Sequence, residues 1–343
     1  MLILSSLVIP LCLMLWLRAF KRLARGRPIL PWAERRAVPW SAGAMLLCGL
    51  AGVLLVLVTQ KAVGAWVALP EGPWQLEDLT PVQQIAMVLA FSISSLLTMV
   101  VSGVVLREVT GATWSDLGLE RGRWLEDVRL GIGAYAMLVV PMLLLHILVQ
   151  RLTKLTEQHP FVDLLSNDPR FGYLLPIGVA ALLAAPLAEE FFFRLVLQGW
   201  LERLMTRGSR PADPVGTELE AVGTELEAGF AREPEGPPES RVLEVARPLP
   251  SWPGEPLAAS PQSPVPQPPA LRARLVPIFV SALVFALAHV GQGAAPVALF
   301  FLALGLGYLY QRTHRLLPSV VTHFLINFTA VLQLWEFLRL QAK

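Results

Sequence analysis

The chain has 343 residues, 54% of them hydrophobic and 16% charged, with a formal net charge of +2 and a mean hydropathy of +0.55. Soluble domains carry roughly a quarter charged residues, so this composition excludes an ordinary water-soluble globule. The net charge of +2 says little, because charge placement matters more than the total, and no nucleic-acid partner is expected.

Eight apolar segments follow in chain order, at about 2–17, 41–59, 84–106, 130–150, 173–200, 275–291, 295–311 and 316–338. Runs of about 18 residues or more suit membrane-crossing helices. Their continuous rather than alternating character is wrong for a transmembrane β-barrel. The expected fold is all-α: a polytopic transmembrane helical bundle of about eight membrane helices. The first segment starts apolar and turns basic only afterwards, the reverse of a cleaved signal peptide, so it too is expected to be a membrane helix. The two cysteines, Cys12 and Cys48, lie in apolar runs and read as small buried hydrophobes rather than a disulfide or a metal cluster.

Loop 18–40 contains Arg18, Lys21, Arg22, Arg25, Arg27, Arg35 and Arg36 against the single acid Glu34, which the positive-inside rule assigns to the cytoplasm. Alternation then puts 107–129, 201–274 and 312–315 inside and both termini outside. Arg312 and Arg315 agree with this, whereas Arg151, Lys154 and Arg170 fall on the outer side. The expected location is the plasma (cytoplasmic) membrane. Within 107–129, Trp114, Leu117, Trp124, Leu125 and Val128 are interleaved with charges. That pattern fits either a short helix at headgroup level or a solvated loop with two tryptophan anchors.

Residues 207–270 differ in kind. They hold 14 of the chain's 29 prolines and ten acids, and VGTELEA occurs in tandem at 215–221 and 222–228. Such a stretch buries too little surface to order itself. A disordered, cytoplasmic Pro/Glu-rich insertion is expected at 207–273, splitting a core made of 173–206 and 274–338 that follows the N-terminal helices (1–172). The run PQSPVPQPP leaves room for a partner that binds proline-rich segments, with a flexible tether as the simpler role.

The most informative residues are the polar groups inside apolar segments. In AEEFFFRLV (188–196), Glu189, Glu190 and Arg194 fall within six positions. Each charged residue at a membrane helix centre costs about 2.5–3.5 kcal/mol on insertion scales. Glu190 and Arg194 stand four apart and can pair on one helix face, whereas Glu189 points about 100° away with no local cation. Two later segments supply further polar groups: His289, one turn after Phe285, and His323 with Asn327 four residues on. A carboxylate shielded from water can act as a general base toward a water molecule, with imidazoles and an amide to orient that water and hold an oxyanion. The same donors, Glu189, His289 and His323, could instead hold a divalent metal such as Zn2+. The spacing leaves both mechanisms open, and both give hydrolysis. His146, His159 and His314 read as packing or loop residues.

The sequences EEFFFR (189–194), FALAH (285–289) and HFLIN (323–327) resemble, in order, the EExxxR, FxxxH and HxxxN motifs of the CPBP family. These are the CaaX protease and bacteriocin-processing (ABI-type) intramembrane endopeptidases. The resemblance covers roughly 173–338, and DLGL at 116–119 is similar to the family's upstream region. It implies a helical membrane peptidase acting on a membrane-associated or lipidated (CaaX-like) protein or peptide, with membrane lipid as surroundings. Glu189 would activate water, His289 and His323 would hold that water or the oxyanion, Asn327 would assist, and Glu190 and Arg194 would form the supporting pair. The family has been described both as metal-dependent and as glutamate-dependent; a glutamate-activated water with no required cofactor is the favoured expectation. Leu195 departs from the glycine that often follows the motif arginine, and the long insertion between the first two motifs is also a departure. Competing readings are a transporter or proton relay, whose usual internal repeats are not evident here, and a catalytically silent family scaffold or immunity protein. Depth is a further constraint. Glu189 lies about 16 residues into its segment and His323 about seven into its own, so the two meet only if the assumed helix limits shift by a turn or two.

Overall fold

A computed structural model describes residues 2–33, 37–71, 78–120, 122–154, 171–207 and 270–341. The expected insertion falls largely on 208–269, and His159 on 155–170, both outside the described residues. The described chain is all-helical, with eight helical segments matching the expected number. They are α1 (Leu2–Ala24), α2 (Ala42–Trp66), α3 (Pro81–Thr110), α4 (Trp124–Thr153), α5 (171–207), α6 (Leu271–Leu287), α7 (Ala295–Thr313) and α8 (Leu316–Gln341). Among the described residues, α2, α3, α4, α5 and α8 contain stretches long and apolar enough to cross a membrane. The protein is an integral membrane protein.

Local chemistry sets the helix ends. Ser41 caps α2 by accepting the Ala44 N–H. Thr80 and Gln83 form a capping box at the start of α3, with Pro81 in the first turn, where its missing N–H costs nothing. Gly111, at φ 68°, stops α3 in the left-handed conformation. The segment beyond it forms turns rather than the short headgroup helix that was one of two expectations, and Trp114 and Trp124 remain exposed beside it. Cys12 and Cys48 are free and buried, as expected of packed hydrophobes.

Helix α5 departs most from regularity. It runs as α-helix over Phe171–Gly178, π-helix over Val179–Ala184, α-helix over Ala185–Glu189, π-helix over Glu190–Gln198 and α-helix over Gly199–Arg207. Pro186 supplies a physical cause for the first wide turn. In the i→i−5 register the N–H of Ala185 reaches the Ala180 carbonyl, and the next donor in line would be residue 186, a proline without an N–H. The carbonyl it would have served, Ala181, instead accepts the Asn327 side-chain amide at 2.8 Å.

Helix α5 packs against α3, α6, α7 and α8. The buried Trp40, ahead of α2, donates its indole N–H to the Val196 carbonyl at 3.1 Å, and Arg203 donates to the carbonyls of Pro39 and Trp40. Helix α8 lies close along α4 because Gly131 has no side chain. A Cβ there would sit 2.7 Å from Val321 and 2.8 Å from the Pro318 carbonyl, and Thr322 uses the closeness to donate to the Gly131 carbonyl at 3.0 Å. At the start of α8, Arg315 meets Asp127 of α4 at 2.9 Å. Gly118, at φ +71°, brings its carbonyl to the Leu316 N–H, so the DLGL turn is a brace for α8.

Candidate active site

Helix α5 delivers Glu189 and Glu190 at the boundary between its second α-helical stretch and its second π-helical stretch. The two neighbouring carboxylates have different surroundings. Glu190 is fully buried and receives Arg194 Nε on Oε2 at 3.1 Å, so the expected i, i+4 pair forms. Its other oxygen faces His323 Nδ1 at 3.0 Å. An ionised carboxylate only accepts, so Nδ1 carries the proton and donates. Glu189 keeps a quarter of its side chain accessible, and its Oε2 lies 3.7 Å from His323 Nε2. His323 therefore spans both carboxylates, one nitrogen to each, which the sequence reading did not foresee.

Arg194 is braced further, although its buried Nη2 has no hydrogen-bond partner among the described residues. Its Nη1 donates to Ser281 Oγ at 3.1 Å, Ser281 donates onward to the Phe193 carbonyl at 2.7 Å, and the guanidinium sits 5.2 Å from the Phe285 ring centroid. Ser281 escaped the motif reading, although it stands four residues before Phe285 and eight before His289, on the same face of α6. Four residues beyond Arg194, the buried Gln198 donates to the Gly307 carbonyl at 2.9 Å and to Glu202 at 3.0 Å. Glu202 in turn receives Gln311 at 3.3 Å. Residues 190, 194, 198 and 202 thus form a polar stripe at four-residue spacing that ties α5 to α7.

His289 lies just past the end of α6 rather than inside it, in the turn that leads to α7. Its Nδ1 meets the Phe285 carbonyl at 2.8 Å and must donate there, because a carbonyl only accepts. Nε2 of a neutral His289 is then left as an acceptor. The Phe285 ring neighbours both imidazoles, with centroids 4.7 Å from His289 and 5.9 Å from His323. Glu189 is within electrostatic reach of both histidines. Asn327 is drawn to the Ala181 carbonyl rather than to the carboxylates.

Helix form contributes to meeting the depth constraint. A π-helix closes its hydrogen bonds over five residues and is wider than an α-helix, so it holds more residues per unit of axial length. The stretch Glu190–Gln198 therefore brings Glu189 nearer the 199–207 end than α-helical spacing would. His314, just before α8, lies 3.8 Å from Glu202 and fixes the two helices at a common level there.

A metal bound by Glu189, His289 and His323 would need each donor about 2.0–2.2 Å from one point. Among the described residues no three His, Cys, Asp or Glu side chains are disposed in that way.

Residues 265–329 match the family model described as Rce1-like, type II CAAX prenyl endopeptidase Rce1-like. The match bears out the resemblance read from the motifs and contains His289, His323 and Asn327, while Glu189, Glu190 and Arg194 lie upstream of it. Neither a curated protein nor a solved structure matches the chain.

Proposed function

From the match of residues 265–329 to a CAAX prenyl endopeptidase model, we propose that the chain is an intramembrane endopeptidase. Its substrate is a membrane-associated or lipidated (CaaX-like) protein or peptide. One observation carries the reading: a partly accessible carboxylate, Glu189, faces an imidazole whose far nitrogen is tied to a buried, arginine-paired carboxylate. Pairs of acids held in contrasting surroundings divide into a reacting group and a supporting group.

Glu189 removes a proton from water as the oxygen attacks the scissile carbonyl carbon. The acceptor Nε2 of His289 orients that water through its other O–H. His323 donates Nδ1–H to Glu190; with Nε2 also protonated it donates to the oxyanion of the tetrahedral intermediate. Collapse of the intermediate breaks the C–N bond, and Glu189 returns its proton to the leaving amine. Glu190, Arg194 and Ser281 position His323, and Asn327 positions the stretch of α5 that leads into Glu189. All of this occurs among helices that exclude bulk water, which strengthens each charge–dipole interaction.

The experiment is proteomics of C-termini in membranes from cells carrying wild-type protein or Glu189→Gln. Unprocessed membrane-protein C-termini should accumulate in the variant. Identical C-terminal profiles would overturn the peptidase reading.

A further inference from the structure

A cavity of about 540 Å³ lies apart from the candidate active site, and none of the six motif residues lines it. It is lined by residues 30–33 after α1, by the turn between α3 and α4 with Leu130 of α4, and by residues 312–315, from the last turn of α7 to the start of α8. It therefore sits where helices leave the hydrophobic layer.

Its charges are unevenly satisfied. Arg315 is paired with Asp127 at 2.9 Å, and Arg123 with Glu126 at 3.0 Å and Glu120 at 3.9 Å. Asp116 accepts both the backbone N–H and the hydroxyl of Thr113, at 2.8 and 2.7 Å. Arg312 has no carboxylate partner among the described residues. Its guanidinium rests instead beside two aromatic rings, 5.2 Å from the Trp32 centroid and 5.1 Å from that of Tyr308, and its buried Nε has no acceptor. A guanidinium held beside ring faces, with its buried Nε unfilled, matches the geometry of a phosphate. The Ser115 hydroxyl also lines the cavity.

The depth identifies the source of that phosphate. Trp114 and Trp124, on the connector that walls the cavity, are 54% and 59% exposed together with Leu119 and Leu125. Exposed tryptophans of this kind settle at the headgroup level of a bilayer. Arg18, Lys21, Arg22, Arg25 and Arg27 lead into the first connector, and basic residues flanking a membrane helix draw anionic lipid.

We propose that this cavity binds the phosphate of an anionic phospholipid headgroup, with Arg312 as its principal cation and Ser115 as a supporting donor. The bound lipid bridges the α1, α3–α4 and α7–α8 connectors at the membrane surface. The proposal does not rest on the chemistry assigned to Glu189.

The test uses the full chain in micelles, with native mass spectrometry reading lipid retention for phosphatidylglycerol against phosphatidylcholine. The wild type should retain phosphatidylglycerol preferentially, by about tenfold, because both lipids carry the phosphodiester but phosphatidylcholine also brings a quaternary ammonium close to the Arg312, Arg123 and Arg315 guanidiniums. Arg312→Gln should abolish the preference, Arg312→Lys should keep part of it, and Ser115→Ala should weaken it about two- to threefold, as loss of one neutral hydrogen bond does. The Ser115 variant keeps the test decisive if Arg312→Gln fails to fold. Equal retention of the two lipids by the wild type, or a preference untouched in both the Arg312→Gln and Ser115→Ala variants, overturns the site. Inorganic phosphate displacing phosphatidylglycerol at equal concentration would assign the cavity to a soluble phosphate and overturn the lipid.

Discussion

His323 holds Glu190 through one ring nitrogen at 3.0 Å and faces Glu189 with the other at 3.7 Å. The two glutamates are adjacent in sequence, yet only Glu190 is also paired with an arginine and removed from the surface. One imidazole thus connects a structural carboxylate to an accessible one, and the two acids should respond differently to the same substitution.

Glu189→Gln removes the proposed base but keeps the side-chain volume at a partly accessible position. It should lower peptide cleavage by about 10²–10⁴-fold, the usual contribution of a positioned general base, while the thermal midpoint in detergent stays near wild type. Glu190→Gln should lower the midpoint as well as cleavage, because Arg194 loses its only carboxylate partner among the described residues. A fully active Glu189→Gln protein would reverse the assignment of roles.

The Glu190–Arg194 pair offers a direct measure of burial. Both side chains are fully buried, and removing one partner of a buried pair costs about 3–5 kcal/mol because the other charge is stranded. Arg194→Met alone should therefore destabilise strongly. The double change Glu190→Gln with Arg194→Met should destabilise less than the sum of the two single changes, and unfolding monitored across all four proteins measures the coupling. Additive effects would show that the pair is not the brace described here.

These contrasts mark the limits of what the sequence discloses. Composition and apolar run length carried the helical membrane fold, and four-residue spacing carried the Glu190–Arg194 pair. The contact between His323 and both carboxylates depends on residues more than 130 positions apart in sequence and on π-helical turns in α5. No apolar periodicity signals a π-helix, so Glu189 looked too deep to meet His323. Ser281 was hidden because a serine in an apolar helix ordinarily satisfies its own backbone, whereas here it receives Arg194. The apolar run continues through Val290 and reads as helix, whereas the helix ends at Leu287 and leaves His289 in the turn beyond it.

Metal dependence separates the two mechanisms that the residue types left open. With Glu189 as base and the imidazoles as hydrogen-bonding groups, cleavage by the purified protein should survive prolonged exposure to a strong chelator. Loss of cleavage followed by recovery on adding Zn2+ would instead assign Glu189, His289 and His323 to a metal, and the glutamate-only mechanism would be abandoned.

The Asn327–Ala181 bond yields the sharpest structural prediction. Pro186 cannot donate to the Ala181 carbonyl, and the Asn327 amide reaches it from α8 at 2.8 Å. Asn327→Ala should strand that carbonyl and cost about 1–3 kcal/mol, the penalty for an unsatisfied buried acceptor. Pro186→Ala restores an N–H at the position that serves residue 181, so the double variant Pro186→Ala with Asn327→Ala should regain much of the lost stability. Such a rescue is not expected if Asn327 matters only through contact with substrate, because a backbone N–H donating to the Ala181 carbonyl cannot replace an amide that touches substrate. Cleavage read alongside stability extends the test. Recovery of both would identify Asn327 as a positioning residue for α5, whereas recovery of stability without cleavage would show that its amide also acts on the reacting groups.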